Sequence, residues 1–318
     1  MCDTSGPGHR SLPHQPAAAV SHNPGAHQLS PRSPDEQLKR TDILFQGSNR
    51  LFHRAILSSG SSLAKSAIVQ DPVEVMRKVA TQTGCNNQQL SLPDCLRGKQ
   101  VHNLMEVSIE PTGHYTSPVG PHVDGTIIPD QPEVLMRRYT PRHDLMFGLT
   151  QSEAYHLFPA FTTTYGLTDT EQRDILRSLL ESEYGAQGEV REQIVKMVYN
   201  EYRDFQQTRE DKMVNLQMLL DIFSDARVVA PLLRTASRHS SNQRSSYLYI
   251  LDHVTAHGYY PPGWGSVHGE DLAYILGMPL VGGTYHFVHN YTQEERMLAE
   301  HVMAFVVNFA KTGSPGSR

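Results

Sequence analysis

The chain has 318 residues, 38% of them hydrophobic, and a formal net charge of −5, which allows one large domain or two ordinary ones with a sizeable core. Its basic residues are dispersed and outnumbered by acidic ones, so the electrostatic footprint of a nucleic-acid binder is missing and no nucleic-acid partner is expected. The first residues have neither a basic start nor an apolar stretch, and no run reaches the roughly eighteen apolar residues of a membrane span, so neither a signal peptide nor a span is expected in this sequence.

Residues 1–42 are rich in Pro, Ser, Gly, His and Gln and nearly free of large apolar side chains. Such a segment buries too little surface to offset the entropy of ordering, and it reads as disordered. Composition changes at Leu51-Phe-His-Arg-Ala-Ile-Leu57, an apolar run ending in Ser58-Ser-Gly60-Ser61, which predicts a buried strand leaving the core through a tight turn. A helix is predicted over Pro72–Thr83, with proline in its first turn and Gly84 past its end. Asp144–Leu149 and Ser246–Leu251 read as short buried strands. Between them, Thr168-x-x-Glu171 and Thr208-x-x-Asp211 look like helix starts, and Met213, Leu216, Leu219, Leu220 and Phe223 recur at the spacing of one buried helix face. Thr292-x-x-Glu295 opens a last helix that Gly313 and Pro315 close. Strands alternating with helices predict the α/β class.

Acyl transfer by a serine hydrolase needs a nucleophile, a histidine to take its proton, a carboxylate to orient the histidine, and donors for the oxyanion. No Gly-x-Ser-x-Gly occurs anywhere in the sequence. His268 follows the small-residue loop Gly263-Trp-Gly-Ser-Val267 and precedes Gly269, so a short loop presents its imidazole to a cleft. Glu153 follows an apolar strand directly, where α/β sheets place site residues, though spacing alone does not bring the two together. Of three cysteines, Cys85 and Cys95 are near enough to close a local disulfide in an oxidising compartment or to stand as two buried thiols. No Cys/His spacing predicts a metal, no cofactor is expected, and Asn290-Tyr-Thr292 is a glycosylation sequon if the chain is secreted.

Four stretches occur together in the order and spacing of one known family: Leu51-Phe-His-Arg-Ala-Ile-Leu-Ser-Ser-Gly-Ser61, Gly148-Leu-Thr-Gln-Ser-Glu153, the thirteen residues from His268 to Leu280, and Asn308-Phe-Ala-Lys-Thr-Gly313. The chain resembles the C-terminal part of a cholinesterase-like, type B carboxylesterase domain. The resemblance implies an α/β-hydrolase fold over residues 43–318, incomplete because the early strands are missing. Within that family the chain is most similar to the non-catalytic neuroligin branch, through Val119-Gly-Pro-His-Val-Asp-Gly-Thr-Ile-Ile-Pro129, His268-Gly-Glu-Asp271, Pro279-Leu-Val-Gly282 and the sequon ahead of the last helix.

The resemblance implies that Glu153 and His268 occupy the acid and base positions of an inherited triad. It implies a disulfide between Cys85 and Cys95, and makes Ser59 a buried hydroxyl beside the glutamate instead of a nucleophile. It further implies a cell-adhesion protein at the extracellular face of the plasma membrane, with a neurexin-type partner met near the segment His156–Asp169 and a glycan on Asn290. An active carboxylesterase lacking its N-terminal half is the alternative. Where the family carries its nucleophile elbow, this sequence has Pro31-Arg-Ser-Pro-Asp-Glu-Gln-Leu38, with no glycine pair to make the turn. His289 stands where neuroligins have a cysteine, and the chain stops soon after Lys311, ahead of the helix through which the family dimerises, so that dimer is not expected.

Overall fold

The computed structural model describes residues 52–86, 91–109, 119–138, 143–203, 210–241, 244–261, 263–282 and 290–316. The expected disorder of residues 1–42, the Pro31–Leu38 substitution and His289 lie outside them.

Three parallel strands, β1 (Arg54–Ser58), β2 (Asp144–Thr150) and β3 (Ser246–Leu251), form a sheet in the order β1-β2-β3. Arg54 stands opposite Asp144 and Leu145 opposite Ser246, so each pairing joins segments remote in sequence and needs a crossover connection. Side chains alternate across the sheet: Leu145, Phe147 and Leu149 of β2 form one core cluster with Leu57, Val228 and Leu232 on one face. Burying each such side chain stabilises by about 1.5–3 kcal/mol. On the opposite face Tyr249 lies over Gly148, where an added Cβ would meet the phenol ring at 2.1 Å. Glycine is required in β2 because a neighbour's ring occupies the side-chain position.

Seven helices of the described residues carry the argument that follows: α1 (Pro72–Gln82), α2 (Asp169–Tyr184), α3 (Gly188–Tyr202), α4 (Lys212–Ser224), α5 (Ala230–Ser240), α6 (Glu270–Ile275) and α7 (Gln293–Thr312). Asp71 caps α1 by accepting the Glu74 N–H at 2.9 Å, and Thr83 is the cap at the other end, one residue short of the predicted limit. The reciprocal capping boxes Thr168/Glu171 and Thr292/Glu295 open α2 and α7 as the sequence predicts. The start of α4 differs. Asp211 is itself the cap, accepting from Met213 and Val214, because a carboxylate one residue ahead of the first turn satisfies two of its bare N–H groups. Thr208 lies outside the described residues. Leu216, Leu219, Leu220 and Phe223 are fully buried, whereas Met213, in the first turn, is 38% exposed, so the packed face begins at Leu216.

Residues Asp225–Val229 join α4 to α5 as a π-helical turn. Within it Arg227 is buried against Glu183 at the end of α2 and lies over the Phe223 ring, 5.1 Å from its centroid. The Cys85–Cys95 disulfide is formed, with Cα atoms 5.8 Å apart, behind α1. Among the described residues no helix is long and apolar enough to cross a membrane.

Candidate active site

Glu153 lies three residues beyond β2 and is completely buried. Its Oε1 accepts the Thr150 N–H at 2.7 Å and the Ser59 hydroxyl at 2.8 Å; its Oε2 accepts from His268 Nδ1 at 2.6 Å. Burial pushes this carboxyl's pKa up, but the hydrogen bond and charge of His268, the Thr150 N–H and the Ser59 hydroxyl outweigh it and hold the group below its ordinary range. An ionised carboxylate only accepts, so Nδ1 carries a proton in this hydrogen bond.

Ser59 follows β1 directly with φ 51°, in the left-handed region that non-glycine residues seldom occupy. That conformation lets its N–H donate to Gly148 O at 2.8 Å while its hydroxyl reaches Glu153. The hydroxyl proton is therefore committed to the carboxylate, and among the described residues no hydroxyl is hydrogen-bonded to His268.

The His268 loop is tied to the ends of β2 and β3. Ser266, wholly buried, donates its hydroxyl to Leu251 O and accepts the Gln151 N–H at 3.0 Å. Ser266 N–H returns to Gln151 Oε1 at 3.2 Å, and Gln151 Nε2 donates to Asp252 Oδ1. Ser152 N–H donates to Ser266 O at 2.8 Å, and His268 N–H donates to Ser152 O at 3.2 Å. Gly265 has φ 70°, and a Cβ there would sit 2.2 Å from Gln151 Oε1, so both conformation and space require glycine. On the open side the His156 ring stacks on His268, centroids 4.5 Å apart. Beneath the turn, Asp271 Oδ2 accepts the Ser58 hydroxyl at 2.5 Å and the Tyr249 hydroxyl at 2.9 Å. Burial, then the Asp271 charge, raises the pKa of that phenol.

The structure thus brings together Glu153, His268 and Ser59, all singled out in the sequence. Gln151, Ser266, Asp271, Tyr249 and His156 were not found there as site residues; the small-residue run before His268 was the available signal for Ser266. Chemically, a Glu–His pair of this kind can take a proton at Nε2 from a hydroxyl placed there, and nothing more without a nucleophile. Among the described residues no group of three or more His, Cys, Asp or Glu could hold a metal ion.

The carboxylesterase family model matches residues 41–318. The chain belongs to the carboxylesterase family. Its fold is accordingly a part of the α/β-hydrolase fold, with the acid turn after β2 and the histidine loop after β3 at the carboxyl ends of parallel strands. It is 32% identical to human neuroligin-3 over 275 residues, 84% of this chain and 32% of that protein. It is 30% identical to rat neuroligin-2 over 280 residues, 86% of this chain and 33% of that protein, and 29% identical to acetylcholinesterase of Bungarus fasciatus over 285 residues, 86% and 45%. The chain spans about a third of the length of these neuroligins.

Proposed function

We propose that the chain is a neuroligin-like, non-catalytic adhesion protein that binds a neurexin-type partner at the cell surface, and that Glu153 and His268 serve as structure. One observation carries the reading: the Glu153 carboxylate accepts from both the His268 imidazole and the Ser59 hydroxyl, so Ser59 faces the acid and not the histidine. Similarity to neuroligins at 30–32% identity supports it.

The contact surface is assigned to the segment after Glu153. It carries a helix, Ala160–Tyr165, on which Phe161 and Tyr165 are 74% and 61% exposed with ring centroids 4.8 Å apart. Exposed, adjacent aromatic rings supply rigid contact area of the kind that anchors protein interfaces. The Asn290 sequon is exposed ahead of α7, in a position to carry a glycan, and the disulfide suits an oxidising compartment.

Two measurements test this. Surface plasmon resonance against neurexin ectodomains is expected to give binding that weakens at least tenfold in a Phe161→Ala/Tyr165→Ala variant; no binding by the folded chain sinks the adhesion reading. Hydrolysis of acetylthiocholine and p-nitrophenyl acetate is expected to be unmeasurable, and a rate abolished by His268→Ala sinks the non-catalytic reading. The similarity to acetylcholinesterase favours a second reading, part of an active ester hydrolase. An in-frame Gly-x-Ser-x-Gly in the transcript ahead of this sequence would support it, and a substituted elbow would exclude it.

A further inference from the structure

We propose that His239 is an acid-operated release for α5: protonating its ring frees the C-terminal end of that helix from the ends of β2 and β3. His239 takes no part in the Glu153–His268 pair or in the surface assigned to adhesion. It lies in the last turn of α5, is 1% exposed, and uses both ring nitrogens. Nε2 is 2.9 Å from His143 O, one residue ahead of β2, and Nδ1 is 2.6 Å from the hydroxyl of Ser246, the first residue of β3. One imidazole thus ties a helix to the starts of two strands, one of them about a hundred residues away in sequence.

A carbonyl oxygen only accepts, so Nε2 carries a proton in its bond to His143 O. While the ring is neutral, Nδ1 accepts and the Ser246 hydroxyl donates to it. A second proton reverses that bond: Nδ1 becomes a donor, and the hydroxyl must turn its own proton elsewhere. The added charge also falls in apolar surroundings, with the Phe147 ring edge-on at 6.3 Å between centroids. The ionisable groups around it do little to offset that. From β2, Asp144 attracts, but its carboxylate is already paired with Arg54 of β1 at 3.6 Å. Ahead of β3, Arg244 repels, and so does His143 when charged; Arg238 is the neighbouring cation on α5 itself. The His143 ring packs against Phe52 at 4.6 Å, and its Nε2 is buried without a partner among the described residues. Burial above all holds the pKa of His239 below the ordinary 6.5, although the His143 carbonyl and Asp144 pull it the other way.

The helix is held unevenly, which decides where it opens. Its N-terminal end continues from the π-helical turn anchored by Arg227 on Glu183, and at its middle the Thr235 hydroxyl lies 2.6 Å from the Ser61 hydroxyl. His239 is the last buried residue of α5, so nothing beyond it resists fraying from the C-terminal end. Leu232 and Ala236 cover Leu57, Leu145, Phe147 and Leu149 of the sheet, and lifting that end uncovers part of this apolar face. The folded pKa is the depressed one, so the hold of His239 is complete above the unfolded value and is lost as pH falls through the folded value. A chain moved from neutral medium into an acidic compartment would therefore expose apolar strand surface while the rest of the fold stays closed.

Amide hydrogen exchange of the whole chain, read by NMR at pH ~7.5 and ~5 and corrected for intrinsic rates, tests this. The amides of residues 236–240 are expected to open more often at the lower pH, by up to about thirtyfold, the ceiling set by an unfolded imidazole pKa of 6.5. Those of α4, Lys212–Ser224, are the internal reference and should not change. His239→Gln keeps an N–H for His143 O but cannot titrate, and is expected to remove the pH dependence of residues 236–240. A rise of less than about threefold in the wild-type chain, an equal rise in α4, or the same pH dependence in His239→Gln would each overturn the proposal. Should His239→Gln lose its cooperative thermal transition, the ring nitrogen shifts of His239 in the wild-type chain decide instead: a titration midpoint below 6.5 is expected, and one at or above 6.5 overturns the release.

Discussion

Removing the His268 imidazole leaves Glu153 Oε2 in a fully buried position without its donor, while Oε1 keeps the Thr150 N–H and the Ser59 hydroxyl. His268→Ala is therefore expected to cost about 1–3 kcal/mol, read as a lower denaturant midpoint with no change in slope. The same carboxylate gives the protein an acid-sensitive component. Its folded pKa lies below the ordinary 4.5, so the native state binds its proton less tightly than the unfolded chain does. The stability it contributes is present above the unfolded pKa and is lost as pH falls through that value towards the folded one. Comparing wild type with Glu153→Gln from pH ~6 to ~3 should show their stability difference shrinking as pH falls; a difference that ignores pH would contradict this. Sequence reading named both residues, but only a resemblance placed them together. The reason is physical: the two lie 115 positions apart, and the contact depends on strand order, which no local pattern encodes. Gln151 and Ser266 were invisible for the same reason, since a glutamine and a serine bonding strand-end backbone look like ordinary loop residues.

At the scale of elements, local chemistry was more legible. The strands at β2 and β3 stood out as apolar runs bounded by polar residues, and two capping boxes marked their helices within a residue. The π-helical turn at Asp225–Val229 left no such mark. Asp-Ala-Arg-Val-Val reads as plain helix, and what accompanies the extra backbone residue is the tertiary pair Arg227–Glu183. The disulfide belongs to this scale too. Cys85 and Cys95 are ten positions apart, and closing a loop of that size removes unfolded-chain entropy worth about 3 kcal/mol at 25 °C. Cys85→Ala/Cys95→Ala should lower the free energy of unfolding by about that amount while the Glu153–His268 geometry persists, checked by the His268 imidazole signal in the NMR spectrum.

For the whole molecule, the described core falls into three clusters. One unites the acid turn and histidine loop with α2, α3 and α4; one lies between β2 and α5; one lies among α6, α7 and the end of β3. The first contains Trp264 and Val267 beside Ala154 and Phe158, so the residues flanking Glu153 and His268 pack into the same apolar mass. Both are thus pinned from beneath by packing and from the sides by Gln151 and Ser266.

The parallel register of the sheet also governs when this region can form. Residue 145 meets 246, so a loop of about a hundred residues must close before Glu153 and His268 can touch, and such remote closures come slowly. The bond between them is expected on the native side of the folding barrier. In stopped-flow chevrons, His268→Ala should then leave the refolding limb where it is and raise the unfolding rate, roughly thirtyfold for a loss of ~2 kcal/mol. The Glu153–His268 bond would on this account act as a latch that slows escape from the native state, setting the lifetime of the fold and not the speed of reaching it.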